Sequence, residues 1–193
     1  MWALPLVAAA QSAGEDTEKE PVFIPPKAGV PSDRLSAGTR DIEAAKNDLV
    51  YLLIPPGGGL TSLANPPLIW RVVSGFRGSM QAQIAPLSGP SVGLRREGAF
   101  LPGYYALDLA RSSMELEIGQ IYRIEIVLFE QDTPIARVSG LVERVQPSQG
   151  APGAQGVWFD ALAPLVSVGL SGFVRVTDPQ KLDILLDAGG VSQ

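Results

Sequence analysis

The apolar residues of this chain come in short runs, and Pro and Gly residues separate the runs. The clearest run is Gln120–Glu130, where one face collects the alternate residues Tyr122, Ile124, Ile126 and Leu128. A period of two is that of a β-strand with one buried face. Asp132–Pro134 has the composition of a turn, so we expect a hairpin that continues through Ile135–Val145. This pattern favours folds built from short strands.

Four further segments are predicted to be strands: Leu49–Ile54, Leu68–Ser74, Ser79–Ala85 and Tyr104–Leu109. The chain has 17 Pro and 21 Gly, and its turn signals are spaced as in β-sandwiches. Strands and helices do not alternate, so a parallel βαβ fold is not expected. We predict a mostly β domain over residues 49–146, an antiparallel β-sandwich or meander of about seven strands with an Ig-like outline.

The pattern changes after residues 147–156, a linker rich in Gly, Pro, Ser and Gln. Apolar residues then recur at helical spacing, and Pro164 is expected to end or kink the helix that they form. Asp178 followed by Pro179 is typical of the start of a second helix. Residues 157–193 are therefore predicted to add one or two C-terminal helices to the same domain.

The first 13 residues predict export. They are uncharged and mostly apolar, and Ala8–Ala10 before Gln11 resembles a small-residue cleavage site. We interpret residues 1–13 as a signal-peptide remnant, which predicts a periplasmic or extracellular protein. No Lys or Arg precedes the run, so an apolar tail is the alternative. A bilayer span needs about 20 apolar residues, so the protein is not expected to be transmembrane.

Residues 14–48 form a polar, Pro-rich arm. Pro residues at 21, 25, 26 and 31 favour an extended, polyproline-like backbone. Its candidate binding residues are Lys27, Arg34, Thr39 and Arg40. We expect this extended N-terminal arm to contact a partner or to lock onto its own domain, and a plain linker is the alternative.

Composition excludes several kinds of chemistry. The chain has no Cys and no His, which rules out disulfides, thiolate nucleophiles, Ser-His-Asp triads and His-ligated zinc built from this chain alone. No metal site and no cofactor are expected. The net charge is −5 and basic residues do not cluster, so no nucleic-acid partner is expected.

Two residues near the start of the first C-terminal helix are the remaining candidates for a site. Asp160 is flanked by large apolar residues, and Trp158 lies two positions before it. A partly buried acid beside an aromatic ring is compatible with a carboxylate-based hydrolase or a glycan-binding domain. The alternative is that Asp160 caps or anchors a docked helix. The Gly-rich loop Pro55–Ser62 lacks the Lys of a phosphate-binding loop, and Glu115 and Glu117 are expected on a solvated face.

Several segments together resemble the domain of unknown function 928 family, which is found mainly in bacteria. They are Pro25–Arg34 with Gly38–Arg40, Leu49–Ile54 with Gly59–Thr61, Leu116–Arg123, Val138–Val145 and Gly156–Leu162. The resemblance implies an exported β-rich domain with a helical C-terminal end and no assigned activity, and it transfers no catalytic residue. Two departures are that Pro164 interrupts the longer helical stretch usual in the family, and that the family's Cys near the second hairpin is absent.

These patterns predict an exported, non-catalytic interaction or structural module. Its partner is expected to be another protein or a component of the cell envelope. The hydrolase or glycan-binding hypothesis, centred on Asp160 and Trp158, is the alternative.

Overall fold

The computed structural model describes residues 49–147, 157–169 and 174–191. The predicted signal-peptide remnant, the Pro-rich arm and residues 148–156 of the predicted linker lie outside the described residues. No helix within the described ranges is long and apolar enough to span a membrane.

The described residues form ten strands and two α-helices. In chain order, the strands are β1 (Val50–Leu52), β2 (Gly59–Thr61), β3 (Pro67–Val72), β4 (Phe76–Pro86), β5 (Val92–Phe100), β6 (Gly103–Asp108), β7 (Ile121–Glu130), β8 (Thr133–Arg144), β9 (Val166–Val168) and β10 (Val174–Val176). The helices are α1 (Trp158–Leu162), which a 3-10 turn at Ala163–Leu165 extends, and α2 (Pro179–Ala188).

The larger sheet has five strands in the order β2-β8-β7-β4-β5. Its pairs are antiparallel except β2 with β8, which is parallel. The register places Ile126 between Ala82 of β4 and Val138 of β8. Because side chains alternate across a strand, the same face carries the apolar residues predicted for β7. This face is one wall of the core.

The smaller sheet has three antiparallel strands in the order β1-β3-β6, and it forms the opposite wall. The Trp70 indole, wholly buried on β3, lies with its Nε1 3.2 Å from the Sδ of Met80 on β4. Gly140 of β8 lies directly under β1, since a Cβ there would be 3.3 Å from Leu52 Cδ1. The two sheets therefore pack face to face as a sandwich.

The C-terminal elements form a third layer on the outer side of the smaller sheet. Leu53, Ile69 and Ala106 share that outer face and are no more than 3% exposed. The covering elements are α1, which contacts β3, and the β9–β10 hairpin, which contacts β6. Trp158 fixes this layer because its indole Nε1 donates a 2.7 Å hydrogen bond to the Leu53 carbonyl.

The predicted fold class is confirmed: the chain is mostly β, with two short helices at the C-terminal end. The helix boundaries also match, because Pro164 lies in the turn that ends α1 and the Asp178 side chain caps α2 by accepting from Lys181 N at 3.0 Å. The number of strands differs from about seven because several are short or carry no alternation. One of them, β2, lies inside the Gly-rich segment that was expected to be a loop.

Candidate functional site

Asp160 anchors α1 to the end of β2. One of its oxygens, Oδ1, accepts from Thr61 Oγ1 at 2.8 Å and from the Ser62 backbone N at 2.9 Å. The Ser62 hydroxyl donates to the other, Oδ2. Thr61 itself is wholly buried. The carboxylate therefore holds together two segments that are far apart in sequence, which matches the helix-anchoring alternative.

Trp158 lies in the core rather than in a cleft. Its side chain is 0% exposed, and it packs between β2 and the end of α2. A Cβ added at Gly59 would lie 3.3 Å from Trp158 Cδ1, and one added at Gly189 would lie 2.6 Å from its Cη2. Because both ring faces are covered, this indole offers no stacking surface to a sugar. Asp160 and Trp158 thus lack the open geometry that a hydrolase or glycan-binding site would require.

The other residues that the sequence offered as site candidates do not come together in a cluster among the described residues. Glu115 and Glu117 are exposed, as expected for a solvated face. Among the described residues, no group of three or more acidic side chains could hold a metal ion. Lys27, Arg34, Thr39 and Arg40 lie outside the described residues, so their role as binding residues stays a prediction.

A partly open apolar surface lies on the outer side of the smaller sheet, beyond the third layer. Tyr51, Arg71 and Tyr104 are direct cross-strand neighbours on β1, β3 and β6. All three are half-buried, whereas the next row of the same face is covered. Leu49 and Val73 continue the face outward, and Val73 is 36% exposed. We call this surface, made of Leu49, Tyr51, Arg71, Val73 and Tyr104, the tyrosine face.

The tyrosine face brings an arginine next to an aromatic ring. The Arg71 guanidinium carbon lies 5.8 Å from the centre of the Tyr104 ring, which is within range of a cation–π interaction. Leu101, at the same end of the sheet, is 69% exposed. Tyrosine and arginine surrounded by apolar side chains are the composition that is enriched in protein interfaces.

A row of polar side chains crosses the outer side of the larger sheet. Gln81 Nε2 donates to Gln83 Oε1 at 3.2 Å, and Gln83 Nε2 donates to Glu125 Oε2 at 2.6 Å. Glu125 Oε1 lies 3.3 Å from Arg137 Nη1. We call these four residues the polar ladder. Their polar atoms are already bonded to one another across three strands, so the ladder is well explained as a solvated sheet face.

The fold defines the chain as a β-sandwich protein with a C-terminal helical layer. No family model matches the chain, and no curated protein matches it. The resemblance to the domain of unknown function 928 family therefore stays a prediction.

The sequence did not single out the tyrosine face. Tyr51, Arg71 and Tyr104 each fall in a different predicted strand, with no sign in the sequence that they meet. The alternation of side chains within β1 and β3 does indicate that Tyr51 and Arg71 lie on the face opposite to Leu52 and Trp70. Which strands are neighbours, and hence that the residues meet, depends on the sheet order.

Proposed function

We propose that this protein is an exported, non-catalytic interaction or structural module, and that it binds another protein or an envelope component through the tyrosine face. The observation that carries the proposal is the partly open end of the smaller sheet, where the Tyr51–Arg71–Tyr104 row is continued by exposed Val73, and where Leu101 is exposed at the same end of the sheet. Exposed apolar patches of this kind on soluble proteins are commonly binding sites.

Three further considerations support the proposal. The acid that sequence reasoning singled out, Asp160, has its oxygens occupied by hydrogen bonds that hold the fold together. The apolar start of the chain is typical of an export signal. The resemblance to a family of exported β-rich domains without an assigned activity leads to the same proposal.

The experiment is a crosslinking pull-down of the tagged full chain from the envelope of its native host. We expect Arg71→Ala combined with Tyr104→Ala to lower recovery of the specific partner at least about tenfold, since hot-spot residues of these types each contribute more than about 1 kcal/mol. The matched control is Arg137→Ala combined with Glu125→Ala, which removes a charged pair from the polar ladder.

Thermal melts of both double variants establish that they are folded before recovery is compared. Unchanged recovery with the tyrosine-face variant would contradict the proposal. Equal loss with the control variant would contradict it as well, because the binding surface would then lie elsewhere or not be localised.

A further inference from the structure

We propose that the tyrosine face is occupied, in the isolated full chain, by the chain's own segment Pro21–Pro26. This inference rests on the proposed function, because it takes the same face and names one occupant. It is carried by where the chain enters the sheet, by the chemistry of the segment, and by the spacing of the two tyrosines.

The N-terminal arm joins the fold at the open end of the tyrosine face. Leu49, the first described residue, belongs to the face, and its carbonyl accepts from Val73 N at 2.9 Å. The 48 residues before Leu49 therefore join the fold beside the tyrosine face rather than on the far side of the sandwich.

The segment has the chemistry that an aromatic face recognises. Residues 21–26 read Pro-Val-Phe-Ile-Pro-Pro, the most apolar stretch between residues 14 and 48. Pro-rich segments favour a polyproline II helix and dock on aromatic-lined grooves, because little conformational entropy is lost on binding. Residues 15–20, which directly precede the segment, contain four acidic residues and Lys19, and their net charge of −3 is opposite in sign to that of Arg71 on the face.

The geometry of the face fits such a helix. Tyr51 and Tyr104 lie on strands separated by one intervening strand, which sets them about 10 Å apart. A polyproline II helix repeats every three residues with a rise of about 3.1 Å, so side chains on one side recur about every 9 Å. Phe23 and Pro26, or Val22 and Pro25, can therefore contact both tyrosines at once.

The tether makes this contact favourable. The chain from Lys27 to Asp48 has a root-mean-square span on the order of 25 Å if it behaves as a flexible linker, which is enough to return the segment to the face. A tether of this length gives an effective concentration on the order of millimolar, so a weak contact is sufficient to keep the segment on the tyrosine face. A partner that binds the tyrosine face then competes with the segment.

The test is disulfide trapping in the full chain, which has no cysteine of its own. Phe23→Cys is combined with Val73→Cys on the tyrosine face. The matched control combines Phe23→Cys with Arg77→Cys, which is exposed near the same end of the sandwich but on the outer side of the larger sheet. We expect the intramolecular disulfide of the first pair to form at least about tenfold faster in a glutathione buffer.

A third variant adds Pro25→Gly and Pro26→Gly to the first pair, and we expect it to remove the excess rate. Equal rates for the two cysteine pairs would overturn the inference, and so would disulfides formed mainly between two chains. A failed trap with the pull-down result intact removes the segment as occupant and leaves the proposed function standing. If the disulfide forms as expected but the pull-down shows no loss of partner, the segment stays as the occupant of the face and the proposed partner binding through that face fails.

Discussion

Asp160 shows how a single side chain joins distant parts of this chain. Its carboxylate accepts from Thr61 and Ser62, which precede it by 99 and 98 residues. Helix anchoring was one of two hypotheses that the sequence left open for this acid, and its hydrogen bonds match that hypothesis. Its partners were not predictable, because no local signal indicates which residues of the Gly-rich segment lie beside α1.

Replacement of Asp160 by Asn should lower the free energy of unfolding by about 1–3 kcal/mol. The amide nitrogen of Asn cannot accept a hydrogen bond, so either the Ser62 hydroxyl or the donors at the other oxygen lose their partner. Urea denaturation measures the loss. The control is Asp187→Asn at an exposed position of α2, where the change should stay within about 0.5 kcal/mol. Equal effects would contradict the anchoring role.

Ionisation of the Tyr105 hydroxyl should lower the free energy of unfolding at high pH. Burial raises the pKa of its hydroxyl above the usual value of 10.0, and the hydrogen bond that it donates to the Leu101 carbonyl only partly offsets this effect. Because the folded-state pKa is raised, the contribution of the neutral hydroxyl is complete below about pH 10 and is lost as the pH rises through the folded-state pKa.

The measurement is the free energy of unfolding at a series of pH values between about 8 and 11. Tyr105→Phe should be less stable at neutral pH, by about 1 kcal/mol for the lost hydrogen bond, and should lose less stability with rising pH than the parent chain. Parallel curves for the two proteins would show that Tyr105 is not the group responsible.

At the level of elements, the sequence predicted the strands that have one buried face and missed strands that are exposed or very short. The strand β7 was predicted almost to the residue because one face is buried along its whole length. The edge strand β5 is largely exposed, so it has no apolar alternation and was missed. The strand β2 was also missed, because its pairing with β8 is a long-range contact that three residues containing a Gly do not indicate.

The close approach of α2 to Trp158 gives a prediction for an element boundary. Gly189 ends α2 with φ −82, so an Ala there has no backbone strain, but its Cβ would lie against the six-membered ring of the Trp158 indole. We expect Gly189→Ala to destabilise the fold by about 1–3 kcal/mol through overpacking. Gly190→Ala is the control. There the left-handed φ of +65 costs an Ala about 1–2 kcal/mol, although the nearest atom is 4.0 Å away.

Guanidinium denaturation of the two glycine variants measures overpacking at Gly189 and backbone strain at Gly190. A loss of at least about 1 kcal/mol for Gly189→Ala indicates that the indole cannot move aside. A loss below about 0.5 kcal/mol for Gly189→Ala would contradict the close packing of α2 on Trp158.

For the whole molecule, the main result is the unequal covering of the smaller sheet. Its inner side faces the larger sheet, whereas its outer side is covered by the C-terminal layer over Leu53, Ile69 and Ala106 and is partly open at the tyrosine face. Composition and periodicity were enough to predict a β-sandwich with C-terminal helices. They could not predict which part of a sheet face stays open, because that depends on where the last elements dock.

The central claim is that the tyrosine face is a contact surface, and site-specific photo-crosslinking in the native host tests it most directly. Benzoyl-phenylalanine replaces Tyr104 in one full chain and Gln81 of the polar ladder in a control. Ultraviolet light and mass spectrometry then identify the adducts. We predict specific adducts from position 104, either with a partner or with residues 21–26 of the same chain, and few from position 81. An absence of adducts at position 104, or the same adducts from both positions, would contradict the claim.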